Sequence, residues 1–293
     1  MTVNGAKLEY LDWGGKGPTM IFLAGFGDTP YIYNDLAPEF TSRFHCLGLT
    51  RRGHGNSERT ATGYTLDELT SDISEFIKTP DLREVTLVGH SYAGLEIMRL
   101  AELYPQRIRR AVLLDSAWAF QNESISALLN RTVGKLGQKH LAGSSPMQSI
   151  DNYRNFQRFV HRSWSEAAEA NLRQQVDLGA DSKVKMRLPQ AVGSQILSQQ
   201  KEWWKMTRIA IPSLFVFAEQ RLTDIAAGME IDDLLRKELV GADAQALAAR
   251  QTQIDSIRRD SPQAQIVQLE HTAHRCFIFA KDRVVKEMRQ FLQ

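Results

Sequence analysis

Six short apolar runs constrain this chain more than any other feature. They are residues 19–24 (TMIFLA), 44–49, 84–88 (EVTLV), 108–114 (IRRAVLL), 213–218 (SLFVFA) and 264–269. Near-continuous apolar runs of this length read as strands buried on both faces. Helical patterns fill many of the intervals: near 31–40, from Leu66 to Ile77, over 92–104, over about 222–260 and over 282–292. Strands alternating with helices predict an α/β fold, a mostly parallel sheet covered by helices on both faces. One more strand is expected over 7–13, after the turn Asn4-Gly5. Thr65 and Glu68 have the spacing of a capping box, so a helix should begin at Leu66 and turn Leu69, Ile73, Phe76 and Ile77 to one side. The alternation stops after Ser116. From there to about Thr207 no strand is evident, and four of the five tryptophans fall in this stretch (Trp118, Trp164, Trp203, Trp204). A mostly helical insertion is expected there.

Composition narrows the function classes. Apolar residues make up 43% and charged residues 24% of the 293, which excludes a disordered or collagen-like chain. The 36 basic and 34 acidic residues nearly balance at +2, which gives no general drive toward nucleic acid. The cluster Arg107, Arg109, Arg110 reads as a solvated loop. There is no apolar stretch of membrane-spanning length, and the start, MTVNGAKLEYLDWGG, lacks the apolar core of a secretory signal. A cytoplasmic protein without a membrane partner is expected. Cys46 and Cys276 sit in apolar surroundings and read as buried free thiols.

The most informative segment is EVTLVGHSYAGLEIMRLAELYP. A buried strand ends at Val88 and a helix begins just after Ser91, with Gly89-His90-Ser91-Tyr92-Ala93-Gly94 between them. A nucleophile on so sharp a turn needs small neighbours, which Gly89 and Ala93 provide. The helix that follows offers its positive end and free amides to developing negative charge.

This segment resembles the nucleophile elbow of the α/β-hydrolase superfamily, with G-x-S-x-G met as G-x-S-x-A. Three further stretches share the resemblance. Phe22-Leu23-Ala24-Gly25-Phe26 is similar to the family's H-G turn, with Ala24 where histidine often stands. Arg52-Gly53-His54-Gly55-Asn56-Ser57 is similar to its R-G-x-G-x-S loop, read here as structural support. The tail IVQLEHTAHRCFIFAKDRVVKEMRQFL is similar to the family's ending, with His274 at the place of the loop histidine and His271 a less suitable base. The resemblance implies Ser91 as nucleophile, His274 as base, and the backbone N–H groups of Phe26 and Tyr92 as oxyanion donors. It also implies an α/β-hydrolase core over residues 1–115 and 208–293, and a helical cap over 116–207. The cap would cover the nucleophile, with Trp118 and Phe120 at its floor or entrance and Trp203-Trp204 as further lining or a hinge.

The carboxylate that orients the histidine is less plain. The family's common position, G-x-x-D after its seventh strand, reads Ala218-Glu219-Gln220-Arg221 here. A minority of the family uses the end of the sixth strand, where this chain has Asp115. Asp115 is the favoured acid, with Glu219 and Asp224 as alternatives. A zinc site on His271-x-x-His274 would need further ligands, and none is evident. The expectation is therefore a hydrolase without cofactor or metal that cleaves a carboxylic ester of a small organic substrate through an acyl-enzyme. Lactone or amide hydrolysis, carbon–carbon bond cleavage, cyanohydrin cleavage and a cofactor-free peroxidase-like activity would use the same scaffold. Epoxide hydrolases and haloalkane dehalogenases carry aspartate where Ser91 stands. A ligand-binding receptor with little turnover is the alternative from another class. Exposed cap aromatics would serve a homodimer as readily as a pocket.

Overall fold

The computed structural model describes residues 1–116, 123–198 and 208–293. Trp118, Phe120, Trp203 and Trp204 lie outside the described residues. Strands β1 (Thr2–Val3) and β2 (Ala6–Lys7) form a small hairpin about Asn4-Gly5, where both residues have positive φ. A second hairpin, β8 (Val176–Leu178) with β9 (Val184–Met186), forms a separate two-stranded sheet within the stretch inserted in the second half of the chain. The main sheet holds β3 (Tyr10–Gly14), β4 (Thr19–Leu23), β5 (His45–Leu49), β6 (Val85–His90), β7 (Ile108–Leu114), β10 (Ser213–Ala218) and β11 (Ala264–Leu269). Its order is β11-β10-β7-β6-β4-β5-β3, all parallel except β3, which runs antiparallel to β5.

All five residues of β4 and all six of β6 and β10 are buried. Side chains alternate between the faces. Ile21, Leu87 and Leu113 pack under one layer of helices, while Met20, Phe22, Val88 and Val112 pack under the other. Helices α1 (Leu66–Lys78) and α2 (Ala93–Leu103) contribute to the first layer. Thr65 and Glu68 form the expected capping box at the start of α1. Residues 31–40 are not one helix but two 3-10 turns, Pro30–Tyr33 and Ala37–Phe40. Each has proline in its first turn, and Pro38 has no N–H to bond back into a preceding helix.

Between β7 and β10 lie α3 (Glu123–His140), α4 (Ile150–His161), α5 (Glu166–Gln175) and α6 (Gln190–Ser198). The stretch is helical as expected, but the hairpin β8–β9 corrects the expectation that it holds no strand. Its arms are only three residues each and close through a turn in which Ser182 N–H bonds Gly179 O at 2.9 Å. Arms that short give alternation too little length to register. The region after β10 divides into α7 (Leu222–Ile225) and a 28-residue α8 (Asp233–Asp260), with Gly228 at positive φ between them. The first half of α8 packs Leu239, Ala242 and Ala246 with Leu129 and Leu136 of α3. The second half sends Ile254 and Ile257 into the sheet core. After β11 come α9 (Cys276–Phe279) and α10 (Lys281–Phe291), which places Val284 and Met288 on the other face of the sheet. No helix among the described residues is long and apolar enough to cross a membrane.

Strand order reverses at β4: the chain runs from it to β5 on one side, then to β6 on the other. Crevices at such switch points, beyond the carboxyl ends of the strands, are where open α/β sheets bind ligands. The loops after β4, β6 and β7 all leave from this edge.

Candidate active site

Ser91 stands between the end of β6 and the start of α2 with φ of +53°. A non-glycine residue in the left-handed region is costly and persists only where its surroundings fix it. Here its N–H bonds Leu114 O at 3.1 Å, which pins the turn to the neighbouring strand. Small residues make room for the bend. A Cβ at Gly89 would lie 2.5 Å from Ile97 Cδ1 and 3.2 Å from Ala93 Cβ, and one at Gly25 would lie 3.2 Å from Ser91 Cβ. The methyl of Ala93 therefore fits because position 89 has none, which accounts for alanine at the last place of the motif. Ser91 is partly exposed in this otherwise buried segment.

Asp115 follows β7 directly and is fully buried. Its Oδ2 lies 2.6 Å from His274 Nδ1, in the loop after β11. Its Oδ1 accepts from Ala218 N–H at 2.9 Å and lies 3.0 Å from Arg250 Nη1. Burial pushes the Asp115 carboxyl upward. The Arg250 charge, the His274 hydrogen bond and the Ala218 amide outweigh it, so the group sits below its ordinary value and is ionised at neutral pH. A carboxylate only accepts, so His274 donates through Nδ1–H, and in the neutral ring Nε2 is left as the basic nitrogen. The His274 ring packs on His90, the residue before Ser91, with centroids 4.4 Å apart. His90 Nε2 meets His274 O at 3.1 Å; the carbonyl accepts, so this nitrogen donates. Burial, then the His274 and Arg275 charges, hold His90 far below the usual histidine range, so it stays neutral.

The loop after β4 turns back at Gly25, where Asp28 N–H bonds Gly25 O at 3.2 Å. Its course is fixed by buried Arg51. That side chain donates to Ala24 O at 2.8 Å and Gly25 O at 3.2 Å while its Nε and Nη2 fork grips Glu96 of α2, each at 2.6 Å. One guanidinium thus ties the Phe26 loop to the helix that follows Ser91. Phe26 itself packs with Tyr64, Leu69 and Tyr92 and with Val192 and Ile196 of α6. The loop after β5 gives the support expected of it: Ser57 Oγ donates to Thr50 O, and Arg52 forks onto Asp72. His54 is buried beside the Phe26 ring, and its burial and the Arg51 charge push it down to about 3.

The competing carboxylates go elsewhere. Glu219 pairs with Arg221, its neighbour but one. Asp224 pairs with Arg162 and with His271, whose Nδ1 lies 3.1 Å away. The two histidines of His271-x-x-His274 therefore serve different carboxylates, and no group of three or more metal-ligating side chains occurs among the described residues. Cys46 and Cys276 are free and buried, and burial raises both thiols.

Three partners of this site escaped the sequence. Arg250 reaches Asp115 from the middle of α8, 135 positions along the chain, with no motif around it. Gln220 accepts from His274 N–H at 2.8 Å and donates to Val160 O of α4 at 3.3 Å, from the place where an acid was sought. Asp28 takes three donors on Oδ1: Asn171 Nδ2 and Gln175 Nε2 of α5, each at 2.8 Å, and Arg275 Nη2 at 2.7 Å. Asn171 Oδ1 in turn accepts from Thr29 N–H and Oγ. The alternation of Ala167, Ala168, Asn171, Leu172 and Gln175 along one helix face was a faint signal that its polar members were buried.

Comparison with known proteins agrees with this architecture. The 2-(acetamidomethylene)succinate hydrolase of Mesorhizobium japonicum is 29% identical over 148 residues, 48% of this chain and 53% of that protein. A non-heme chloroperoxidase of Kitasatospora aureofaciens is 33% identical over 117 residues, 39% of this chain and 42% of that protein. The chain thus spans about half the length, or less, of these curated relatives. Among solved structures, E-2-(acetamidomethylene)succinate hydrolase superposes with a TM-score of 0.69 at 19% identity, covering 99% of this chain and 96% of the other. The enol-lactonase from Burkholderia xenovorans gives 0.61 at 20% identity, covering 99% and 98%. The family model described as alpha/beta hydrolase fold matches residues 18–238, and the chain is a member of that family.

Proposed function

We propose that this chain is a serine hydrolase that cleaves a carboxylic ester of a small organic substrate through an acyl-enzyme. The observation that carries this is the 2.6 Å pairing of buried, ionised Asp115 with His274 Nδ1, beside a serine on a left-handed turn. In this mechanism Ser91 Oγ attacks the ester carbonyl while His274 Nε2 takes its proton. Asp115 holds the ring in the required tautomer and stabilises its charged form. The tetrahedral oxyanion accepts from the amides of Phe26 and Tyr92, at the N-terminus of α2. His274 then protonates the departing alcohol, and water attacks the acyl-enzyme by the reverse sequence. Helices α3 to α6 act as a cap over Ser91. Lactones would be opened by the same steps, and two of the similar proteins are a hydrolase and an enol-lactonase by name. Epoxide opening is not proposed, because the nucleophile position holds Ser91 rather than a carboxylate.

A fluorophosphonate probe tests this. It should label Ser91 in the native protein and leave Ser91→Ala unlabelled, and p-nitrophenyl acetate turnover should fall by at least about 10⁴ in that variant. Full turnover in Ser91→Ala would end the proposal.

A further inference from the structure

Arg275 follows His274 in the chain and is 4% exposed. Its pairing differs from that of two other buried arginines in the same molecule. Arg51 and Arg52 each present the Nε and Nη2 edge to both oxygens of a carboxylate, Glu96 and Asp72 respectively. This two-point fork is the geometry by which guanidinium recognises carboxylate. Arg275 gives Asp28 only Nη2, at 2.7 Å, and its buried Nε has no partner. Asp28 Oδ1 is already occupied by Asn171 and Gln175, so this contact orients Arg275 without using its fork.

The surroundings repeat the pattern. His161, at the end of α4, has a buried Nδ1 without a partner, as does His90 beneath the His274 ring. Burial first, then the Arg275 and His274 charges, hold His161 well below the usual histidine range, so its neutral ring can donate or accept. The end of α4 is fastened next to the base through Gln220, which links Val160 O to His274 N–H. An uncommitted cationic donor directly after His274 in the chain and an imidazole at the α4 end that Gln220 ties to His274 therefore both adjoin the base. A buried donor left unpaired is costly unless something arrives to pair it.

We propose that Arg275 Nε–H and the His161 ring form a subsite for a carboxylate carried by the substrate, so that the protein acts on half-esters or similarly anionic acyl compounds. This rests on the serine-hydrolase reading and adds the substrate's charge to it. The sign of the preference is diagnostic. A dry site without such a donor disfavours the charged half-ester, because its carboxylate loses water without compensation.

The test compares monomethyl with dimethyl esters of the dicarboxylic acids from malonic to adipic. In the native protein the best-fitting half-ester should have at least about tenfold higher kcat/KM than its diester, mainly through KM. Arg275→Lys keeps a cation beside Asp28 but loses the fork, and should bring that ratio close to one by losing more on the half-ester than on the diester. Diesters equal to or better than half-esters throughout the series would overturn the proposal, as would an equal loss on both substrates in Arg275→Lys. Calorimetric titration of Ser91→Ala with the preferred half-ester reads the subsite without turnover. Binding there that weakens in the Ser91→Ala, Arg275→Lys double variant supports the subsite even if labelling shows a different nucleophile. Unchanged binding refutes it even if Ser91 is the nucleophile.

Discussion

The sheet core and the helices inserted between β7 and β10 are held by different mixtures of apolar and polar contacts. In the core, apolar side chains from both faces of β4, β6, β7 and β10 close two large clusters, and little but backbone bonding joins the strands. Among the described residues, the inserted helices take part in smaller apolar clusters, two of which they share with the core: α3 with α7 and α8, and α6 with Phe26 and Tyr92. Polar seams add to these contacts: Asn171 and Gln175 on the Phe26 loop, Gln220 on α4, and Arg162 on Asp224 and His271 O. Apolar burial is non-directional and tolerates repacking, whereas each polar seam depends on one donor meeting one acceptor. The seams also reach Asp28 of the Phe26 loop and the backbone of His274. The comparison teaches that the candidate site lies at the boundary: the sheet edge carries Ser91 and Asp115, and hydrogen bonds from the inserted helices tie down the loops of Phe26 and His274.

The sharpest way to break this comparison is at the carboxylate. Asp115→Asn should lower kcat by about 10⁴, as expected when the histidine loses the acceptor that fixes its tautomer. Glu219→Gln should leave steady-state rates within about twofold. If Glu219→Gln collapses in kcat and Asp115→Asn does not, the pairing has no catalytic meaning. Next comes Arg250→Met. It leaves the Asp115 charge buried with one partner fewer, which should cost about 3–5 kcal/mol in urea unfolding and raise the pH at which the carboxylate protonates.

Acid stability probes the core side. His54 and His90 are each 1% exposed and titrate below the unfolded value of about 6.5. Above that pH both states are neutral and these groups contribute no pH dependence. Below it the unfolded chain binds protons that the folded chain refuses, so stability falls with falling pH. The two together should cost about 3 kcal/mol by pH 5.5. Asp115 adds its own loss only at lower pH, because its folded value lies below the ordinary carboxylate range. Urea midpoints between pH 7.5 and 5.5 measure this, and His54→Phe should flatten the slope. The smallest expected effect is in the seam itself. Asn171→Ala leaves Thr29 N–H and part of Asp28 unpaired, which should cost about 1–3 kcal/mol and move kcat/KM without altering Ser91 labelling at saturating probe. An unchanged unfolding curve would mean that the seam is slack.

Legibility in the sequence followed the same division. The runs at 84–88 and 108–114 were readable because burial on both faces leaves an apolar signature in consecutive residues. The elbow was readable because its backbone demands small residues at fixed offsets, and Gly89 and Ala93 show that demand directly. Asp115 could be singled out because it ends a buried strand, yet Glu219 and Asp224 could be set aside only once Arg221, Arg162 and His271 were seen beside them. The hairpin β8–β9 and the split of 31–40 into two turns were missed because three or four residues carry too little periodicity to register.

The sequence alone determined six of the seven sheet strands and where the chain bends sharply at Ser91, since both are written in neighbouring residues; the strand expected over 7–13 is divided between β2 and β3. Only the tertiary structure decided that Asp115 rather than Glu219 or Asp224 holds His274, that Arg250 stands behind it, and that Arg275 keeps its Nε uncommitted. Hydrogen bonds between residues more than a hundred positions apart leave no local pattern. They are set by how the strands register and how the inserted helices come to rest on the sheet edge.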